Sequence, residues 1–215
     1  TYLFSRPNHD LLDMFGGSNV LLAFDYDGTL APLVSVPAHA TMRTSTRRLL
    51  RRVSKLYPCV VITGRAKADA LARLRHIEVC RVVGNHGAEP SPHAETIRRR
   101  VQRWLPVLMA RLSRRQGVVI EDKGFSVAVH YRQARDRSST RRAVLSAARS
   151  LKGVRLVGGK LVVNFLVPDA PHKGLALERE RSRFACDTVI YVGDDETDED
   201  VFQIDRPGQL LSIRV

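Results

Sequence analysis

Short apolar runs recur along the chain. Val20-Leu21-Leu22-Ala23-Phe24, Pro58-Cys59-Val60-Val61-Ile62 and Val79-Cys80-Arg81-Val82-Val83 do not alternate apolar with polar. Runs of this kind read as strands buried on both faces, as in a parallel α/β sheet. Each stops at a polar or glycine-bearing loop: Asp25-Tyr26-Asp27-Gly28-Thr29, Thr63-Gly64-Arg65 and Gly84-Asn85-His86-Gly87. Helical spacing near 43–57 and 66–75 fills the gaps, and Ala31 to Pro37 reads as an extended, proline-punctuated loop. Strand, loop and helix in repetition predict a doubly wound sheet. The first 18 residues read as loop and a short helix ended by Gly16-Gly17.

The rhythm then changes. A long basic helix is expected over 93–116, with Pro106 as a possible kink point. Val118 to Glu121 and Phe125 to Arg132 follow, joined by Asp122-Lys123-Gly124, a combination suited to a hairpin turn. After a helix near 138–151, the runs Val154 to Val157 and Lys160 to Phe165 flank Gly158-Gly159. This α+β block, at 91–167, reads as a domain inserted between core segments 1–90 and 168–215. The core rhythm returns with a helix opened by His172-Lys173-Gly174, a buried strand at Thr188 to Val192, and a last run at Leu210 to Ile213.

Composition narrows the function classes. The chain has 215 residues, 44% hydrophobic and 27% charged, which is ordinary for a globular protein. No stretch approaches the roughly 20 apolar residues of a membrane span, and no leader is evident, so a cytoplasmic protein without membrane contact is expected. Cys59, Cys80 and Cys186 lack metal-ligand spacing and read as small buried hydrophobes in a reducing compartment. The net charge of +13 invites a nucleic-acid reading. Yet the arginines (47, 48, 51 and 52; 98 to 100, 103, 111, 114 and 115; 137, 141, 142 and 149) are spaced as solvated helix faces. Nucleic acid is therefore not the expected partner. A small anionic molecule is, and a monomer is expected.

The candidate chemistry sits at strand ends, where open α/β sheets bind ligands. Asp25 and Asp27 lie at i and i+2 after the first run. Two acids and a glycine there must open a loop, because carboxylates are not buried unpaired. One Asp can attack phosphorus, the other can protonate the leaving oxygen and later take a proton from water, and a hard cation can sit among the oxygens. Gly28 permits a tight turn that aims N–H groups at a phosphate, and Thr29 is expected to fix the loop with its hydroxyl. Taken alone, such a loop is equally a solvated turn. Thr63-Gly64 offers a hydroxyl and an N–H, or simply a helix N-cap. Lys173 could neutralise phosphoryl charge, or lie on the surface. Gly193 to Asp200 carries six acids in the seven residues after the glycine, which repel unless compensated. Asp194 is the leading metal ligand there. Asp195 and Asp198 are candidates for the ligands' outer surroundings, with Asp198 holding a metal-bound water or orienting Lys173.

Four stations in this order (DxDGT, Thr, Lys, GDDxxD) resemble the haloacid dehalogenase superfamily of phosphatases. Within it the chain resembles the trehalose-6-phosphate phosphatases. The resemblance rests on the stretches 24–32, 63–65, 84–89, 121–132 and 193–199. It implies a Rossmann-like α/β core with an inserted α+β cap, and hydrolysis of a sugar phosphate. By that resemblance Asp25 is the nucleophile and Asp27 the acid/base. Mg²⁺ is held by Asp25, the Asp27 carbonyl and Asp194, while Thr63 and Lys173, with Gly28 and Gly64, hold the phosphoryl group. Arg65, Asn85 and His86 line the core side of the substrate site, and Glu121 and Lys123 reach sugar hydroxyls from the cap. Two departures stand out. Asn164 occupies a position where the family usually has Glu, and the family usually continues beyond the position of Val215. Asn164 keeps a hydrogen bond but not the charge that strengthens it, so a phosphatase of another disaccharide phosphate or of a glycosyl-glycerate phosphate is the alternative, followed by a non-catalytic regulatory domain.

Overall fold

A computed structural model describes residues 5–34, 36–89, 93–168, 170–204 and 206–215. The expected boundary at residue 91, Ser35 of the proline-punctuated loop and the first four residues lie outside these ranges. The chain forms two units by contact: residues 1–87, 172–194 and 198–215, and residues 88–171 with 195–197.

The first unit is built on a five-stranded parallel sheet. Its strands are β1 (Val20–Phe24), β2 (Cys59–Ile62), β3 (Arg81–Val83), β8 (Thr188–Gly193) and β9 (Leu210–Arg214), in the order β3-β2-β1-β8-β9. The helices are α1 (Arg6–Gly16), α2 (Thr44–Val53), α3 (Lys67–Arg73), α6 (Lys173–Arg183) and the short α7 (Glu199–Phe202). Both faces of the sheet are covered, which explains the unbroken apolar runs. Leu21 and Ala23 of β1, with Val60 and Ile62 of β2, pack in one cluster with Ala176 and Leu177 of α6. Val61 points the other way, into a cluster with Leu50 of α2, and Ala70 and Leu74 at α3. The strand order reverses between β1 and β8, so the loops that follow these two strands flank the switch point where such sheets bind ligands.

The second unit is an antiparallel sheet with two helices. The strands are β4 (Val119–Asp122), β5 (Ser126–His130), β6 (Arg155–Gly159) and β7 (Val162–Leu166), ordered β4-β5-β7-β6. The helices are α4 (Ala94–Leu112) and α5 (Arg137–Ala148). Ile97, Val101, Trp104, Leu108 and Leu112 form a buried stripe on α4, and it packs with Val127, Val129, Val163 and Phe165 of the sheet. Pro106 does not end α4. It sits on the exposed side with Gln102, whose carbonyl it cannot bond, so water can serve that oxygen. Ala88, Val167 and Ala170 are buried in this unit's core, which is why the division falls after 87 and 171 rather than after 90 and 167.

Two further differences have local causes. Gly158 and Gly159 are not the turn between the last two strands of this sheet. They belong to β6 and pair with Val163 and Val162, and the turn is Lys160-Leu161, with Leu161 at φ 64°. A Cβ on Gly159 would come 2.7 Å from Val162 Cγ1, so this glycine serves close strand packing. Cys59 and Cys186 are buried as expected, but Cys80 is exposed, because it precedes β3 at the sheet's edge and only its backbone joins the sheet.

Phe165 is fully buried in the second unit. Phe165→Ala is expected to destabilise the protein by about 3–5 kcal/mol, read as a lower urea midpoint in equilibrium unfolding.

Candidate active site

Asp25 follows β1, and its N–H continues the ladder by donating to the Val192 carbonyl at 2.9 Å. The loop beyond it is closed by its own backbone. Ala31 N–H donates to the Tyr26 carbonyl at 2.8 Å and Gly28 N–H to the Ala31 carbonyl at 2.7 Å. The Thr29 hydroxyl, expected to fix this loop, is buried without a hydrogen-bond partner among the described residues. Gly28 has φ 90°, and a Cβ there would overlap the Asp194 carboxylate. Glycine is thus required twice, by the turn and by the approach of the β8 loop.

Lys173 is 1% exposed, which excludes the surface alternative. It opens α6, and its Nζ donates to Asp25 Oδ1 at 2.9 Å and to Asp198 Oδ1 at 2.6 Å. Asp198 has no exposed surface. The Tyr191 hydroxyl donates to its Oδ1 at 2.5 Å, and the Asp194 N–H donates to its Oδ2 at 3.0 Å. Burial pushes the Asp25 carboxyl up to about 7, opposed by the Lys173 charge and reinforced by Asp198. Lys173 is itself held above its ordinary range: burial works against its charge, but Asp25 and Asp198 outweigh it. Asp25, Asp194 and Asp198 bring carboxylate oxygens within 4.8 Å of one another. Three carboxylates against one ammonium leave a formal charge of −2. That deficit, with oxygen donors alone, suits a hard divalent cation. Both Asp198 oxygens are already engaged, so Asp25 and Asp194 are the better donors.

The loops after β2 and β3 are stitched together. Asn85 N–H donates to the Arg65 carbonyl at 2.8 Å and His86 N–H to the Thr63 carbonyl at 3.0 Å. Asn85 and His86 both have left-handed backbone, at φ 51° and 57°, a conformation that stores strain at such sites. The His86 ring lies against Gly64, where a Cβ would come within 2.5 Å of its Cε1. Thr63 is fully buried, and its Oγ1 accepts from the Arg65 N–H at 3.2 Å. It is not a helix cap, because α3 starts after Ala66. Arg65 does not simply line a pocket. It grips Asp27 by both oxygens, from Nε at 2.7 Å and from Nη2 at 2.6 Å, while Nη1 donates to Asp69 at 2.7 Å. Burial opposes the Arg65 charge, but bonds to Asp27 and Asp69 hold it firmly protonated.

Glu121, Lys123 and Asn164 belong to the second unit, as does Asp195 by contact. Glu121 pairs with Ala128, and Ala128 with Asn164, so Glu121 and Asn164 share one sheet face with Ala128 between them. His130 Nε2 lies 2.8 Å from Glu121 Oε2. Lys123 sits in the β4–β5 turn, where Gly124 N–H donates to Asp122 Oδ1 at 2.7 Å. Tyr191, Asp69 and His130 escaped the sequence reading. Only the carboxylate at i+4 from Arg65 left a signal there, as helical salt-bridge spacing.

Asp25 gives a pH dependence. Its folded value lies above the unfolded 3.8, so the folded state holds a proton that the unfolded state releases, and this stabilisation is lost as pH rises towards about 7. In chelator, Asp25→Asn is expected to unfold at a higher temperature than the parent at pH 8 and at the same temperature near pH 4, read by calorimetry across pH.

Three comparisons extend this picture. The trehalose-phosphatase family profile matches residues 23–214. A trehalose-phosphate phosphatase of Mycolicibacterium paratuberculosis is 32% identical over 219 residues, covering 94% of this chain and 56% of that protein. A probable trehalose-phosphate phosphatase of Oryza sativa is 29% identical over 218 residues, covering 93% of this chain and 59% of that protein. The chain thus spans little more than half the length of these relatives. Among solved structures, the C-terminal domain of the Candida albicans trehalose-6-phosphate phosphatase superposes with a TM-score of 0.77 at 23% identity, over 90% of this chain and 76% of that one. A haloacid dehalogenase-type core bearing an α+β insertion is common to the sequence pattern, the sheet topology and this superposition, and the chain belongs to the trehalose-phosphatase family.

Proposed function

We propose that the protein is a Mg²⁺-dependent phosphatase that hydrolyses trehalose 6-phosphate to trehalose and phosphate. The observation that carries this reading is the convergence of buried Asp25, Lys173 and Asp198 with half-buried Asp194 at the switch point of the sheet. An Asp placed beside a buried ammonium and an acidic, cation-demanding pocket suits attack on a phosphate ester and little else.

In this reading Asp25 attacks phosphorus through the carboxylate oxygen that Lys173 does not occupy, giving an aspartyl-phosphate. Asp27 supplies the proton that the leaving sugar oxygen needs, then takes one from the water that hydrolyses the intermediate. Lys173 and the buried Thr63 hydroxyl hold phosphoryl oxygens, with backbone N–H groups at Gly28 and Gly64 beside them. Asp25 and Asp194, with the Asp27 carbonyl, would hold Mg²⁺, which when bound neutralises phosphoryl charge and orients the ester. Glu121, Lys123 and Asn164 are assigned to sugar hydroxyls, with Arg65, Asn85 and His86 shaping the core side. Among the described residues no helix is long and apolar enough to cross a membrane.

The test is phosphate release from trehalose 6-phosphate, sucrose 6-phosphate and glucose 6-phosphate, with Mg²⁺ and with chelator. Mg²⁺-dependent release from trehalose 6-phosphate is expected, and Asp25→Asn is expected to abolish it while far-UV dichroism stays that of the parent. Release from sucrose 6-phosphate alone would move the substrate to another disaccharide, with Asn164 the first residue to exchange. Full activity in Asp25→Asn would remove the nucleophile from this scheme.

A further inference from the structure

The grip of Arg65 on Asp27 carries an inference beyond this scheme, although it rests on the phosphatase reading. The two side chains meet through a paired contact, Nε to Oδ2 at 2.7 Å and Nη2 to Oδ1 at 2.6 Å. Arg65 is 9% exposed and is itself held from behind. Its Nη1 donates to Asp69 Oδ2 at 2.7 Å, and its Cζ lies 5.4 Å from the centre of the Tyr26 ring. Asp69 is anchored in turn by Arg73, whose Nε lies 3.0 Å from Oδ2 and 3.1 Å from Oδ1. Arg73 then donates to the Ala40 carbonyl at 2.5 Å and the Ala38 carbonyl at 3.1 Å. Partial burial works against ionisation of Asp69, but bonds from Arg73 and Arg65 hold its carboxyl below the usual range. The guanidinium is therefore pinned to α3 and to the 38–40 segment before it reaches Asp27.

We propose that Arg65 is the positioning residue for the proton transfers of Asp27. A guanidinium matches a carboxylate through two parallel bonds, and this is the form seen here. With one of the two bonds kept, the other Asp27 oxygen is free to turn towards the leaving oxygen while the carboxyl stays aimed. In the first step the Asp25 oxygen bonds to phosphorus as the phosphorus–sugar oxygen bond breaks. Its electron pair stays on the sugar oxygen, which takes the proton of Asp27. In the second step water bonds to phosphorus, its proton passes to Asp27, and the electron pair of the Asp25–phosphorus bond returns to the Asp25 carboxylate. Positioning of this kind counts because acid/base catalysis contributes about 10²–10⁴-fold only when the donor is within reach of the reacting oxygen.

The experiment uses the full chain with Mg²⁺ and two substrates, followed by rapid mixing. Trehalose 6-phosphate loses an alkoxide and needs a proton in the first step. p-Nitrophenyl phosphate loses a stabilised phenolate and needs none, although its phosphoenzyme still needs a base. Arg65→Gln is expected to lower kcat on the sugar phosphate about 100-fold with KM changed less than about twofold. On p-nitrophenyl phosphate it is expected to give a burst of about one nitrophenolate per enzyme before slow turnover, since only hydrolysis of the phosphoenzyme is impaired. Asp69→Asn should shift both readouts in the same direction by less, and Arg65→Lys should restore part of kcat. These two variants carry the test if Arg65→Gln does not fold. A raised KM with unchanged kcat would make Arg65 a substrate ligand and overturn the proposal, as would equal losses on both substrates without a burst. If the parent releases phosphate from none of these esters, the phosphatase reading falls first and the role of Arg65 with it.

Discussion

The structure of the core depends on one buried ammonium. Lys173 has almost no contact with water and lies between Asp25 and Asp198. Removing it would leave two carboxylates buried without a counter-charge, which costs about 3–5 kcal/mol when one partner of a buried pair is lost. The constraint reaches into three elements at once. Asp25 must end β1, Asp198 must follow β8, and Lys173 must open α6 so that its side chain runs into the gap. Tyr191 and the Asp194 N–H then complete the bonds of Asp198, so the acid that binds the lysine has no oxygen left over for other work. One lysine does not balance the charge. The residual negative charge makes the cluster a poor hydrophobic substitute and a good receptor for a cation.

Around this cluster the loops are held by backbone rather than by side chains. The bonds from Asn85 to Arg65 and from His86 to Thr63 tie two neighbouring loops together. Left-handed backbone at Asn85 and His86 allows both N–H groups to point back at the preceding loop. Gly28 and Gly64 lack the Cβ that would collide where Asp194 and His86 come close. One side chain adds to these main-chain ties. Arg65 both braces α3 through Asp69 and holds Asp27, so the Asp27 carboxylate inherits its rigidity from a helix.

The sequence made the strands and their order of chemical stations legible because each station sits where a doubly buried strand must end. Asp25, Thr63 and Asp194 fall at strand ends for that reason, and their order along the chain makes them recognisable together where none is alone. Whether Lys173 was buried could not be read in the same way, since a lysine at a helix start is normally solvated; only the two distant acids decide it. The pairing of Arg65 with Asp27 was hidden for a related reason. The residues are 38 apart in sequence, and an arginine beside a phosphate site has several anions to choose from. Local signals misled where tertiary packing overrode them. Gly158-Gly159 has the composition of a turn, but the register with Val162 and Val163 draws it into a strand and leaves Leu161 in the left-handed turn position. Thr29 has the composition of a loop anchor, but the loop closes through main-chain bonds and its hydroxyl has no hydrogen-bond partner among the described residues.

The charge balance of the chain finally separates attraction from recognition. The protein carries +13 overall, and the arginines at 48, 51, 52, 98, 99, 100, 103, 111, 114, 115, 137, 141, 142 and 149 are all exposed. A field of that sign raises the local concentration of any anion, and it weakens with salt. It cannot by itself select a phosphate monoester, because the cluster at the strand ends is negative and repels one. On the proposed reading, selection falls to what would reverse the local sign: a cation held by Asp25 and Asp194, together with the fixed charge of Lys173. On that reading the surface draws anions in without discrimination, while the site at the strand ends would admit a phosphoryl group only once its own charge has been compensated.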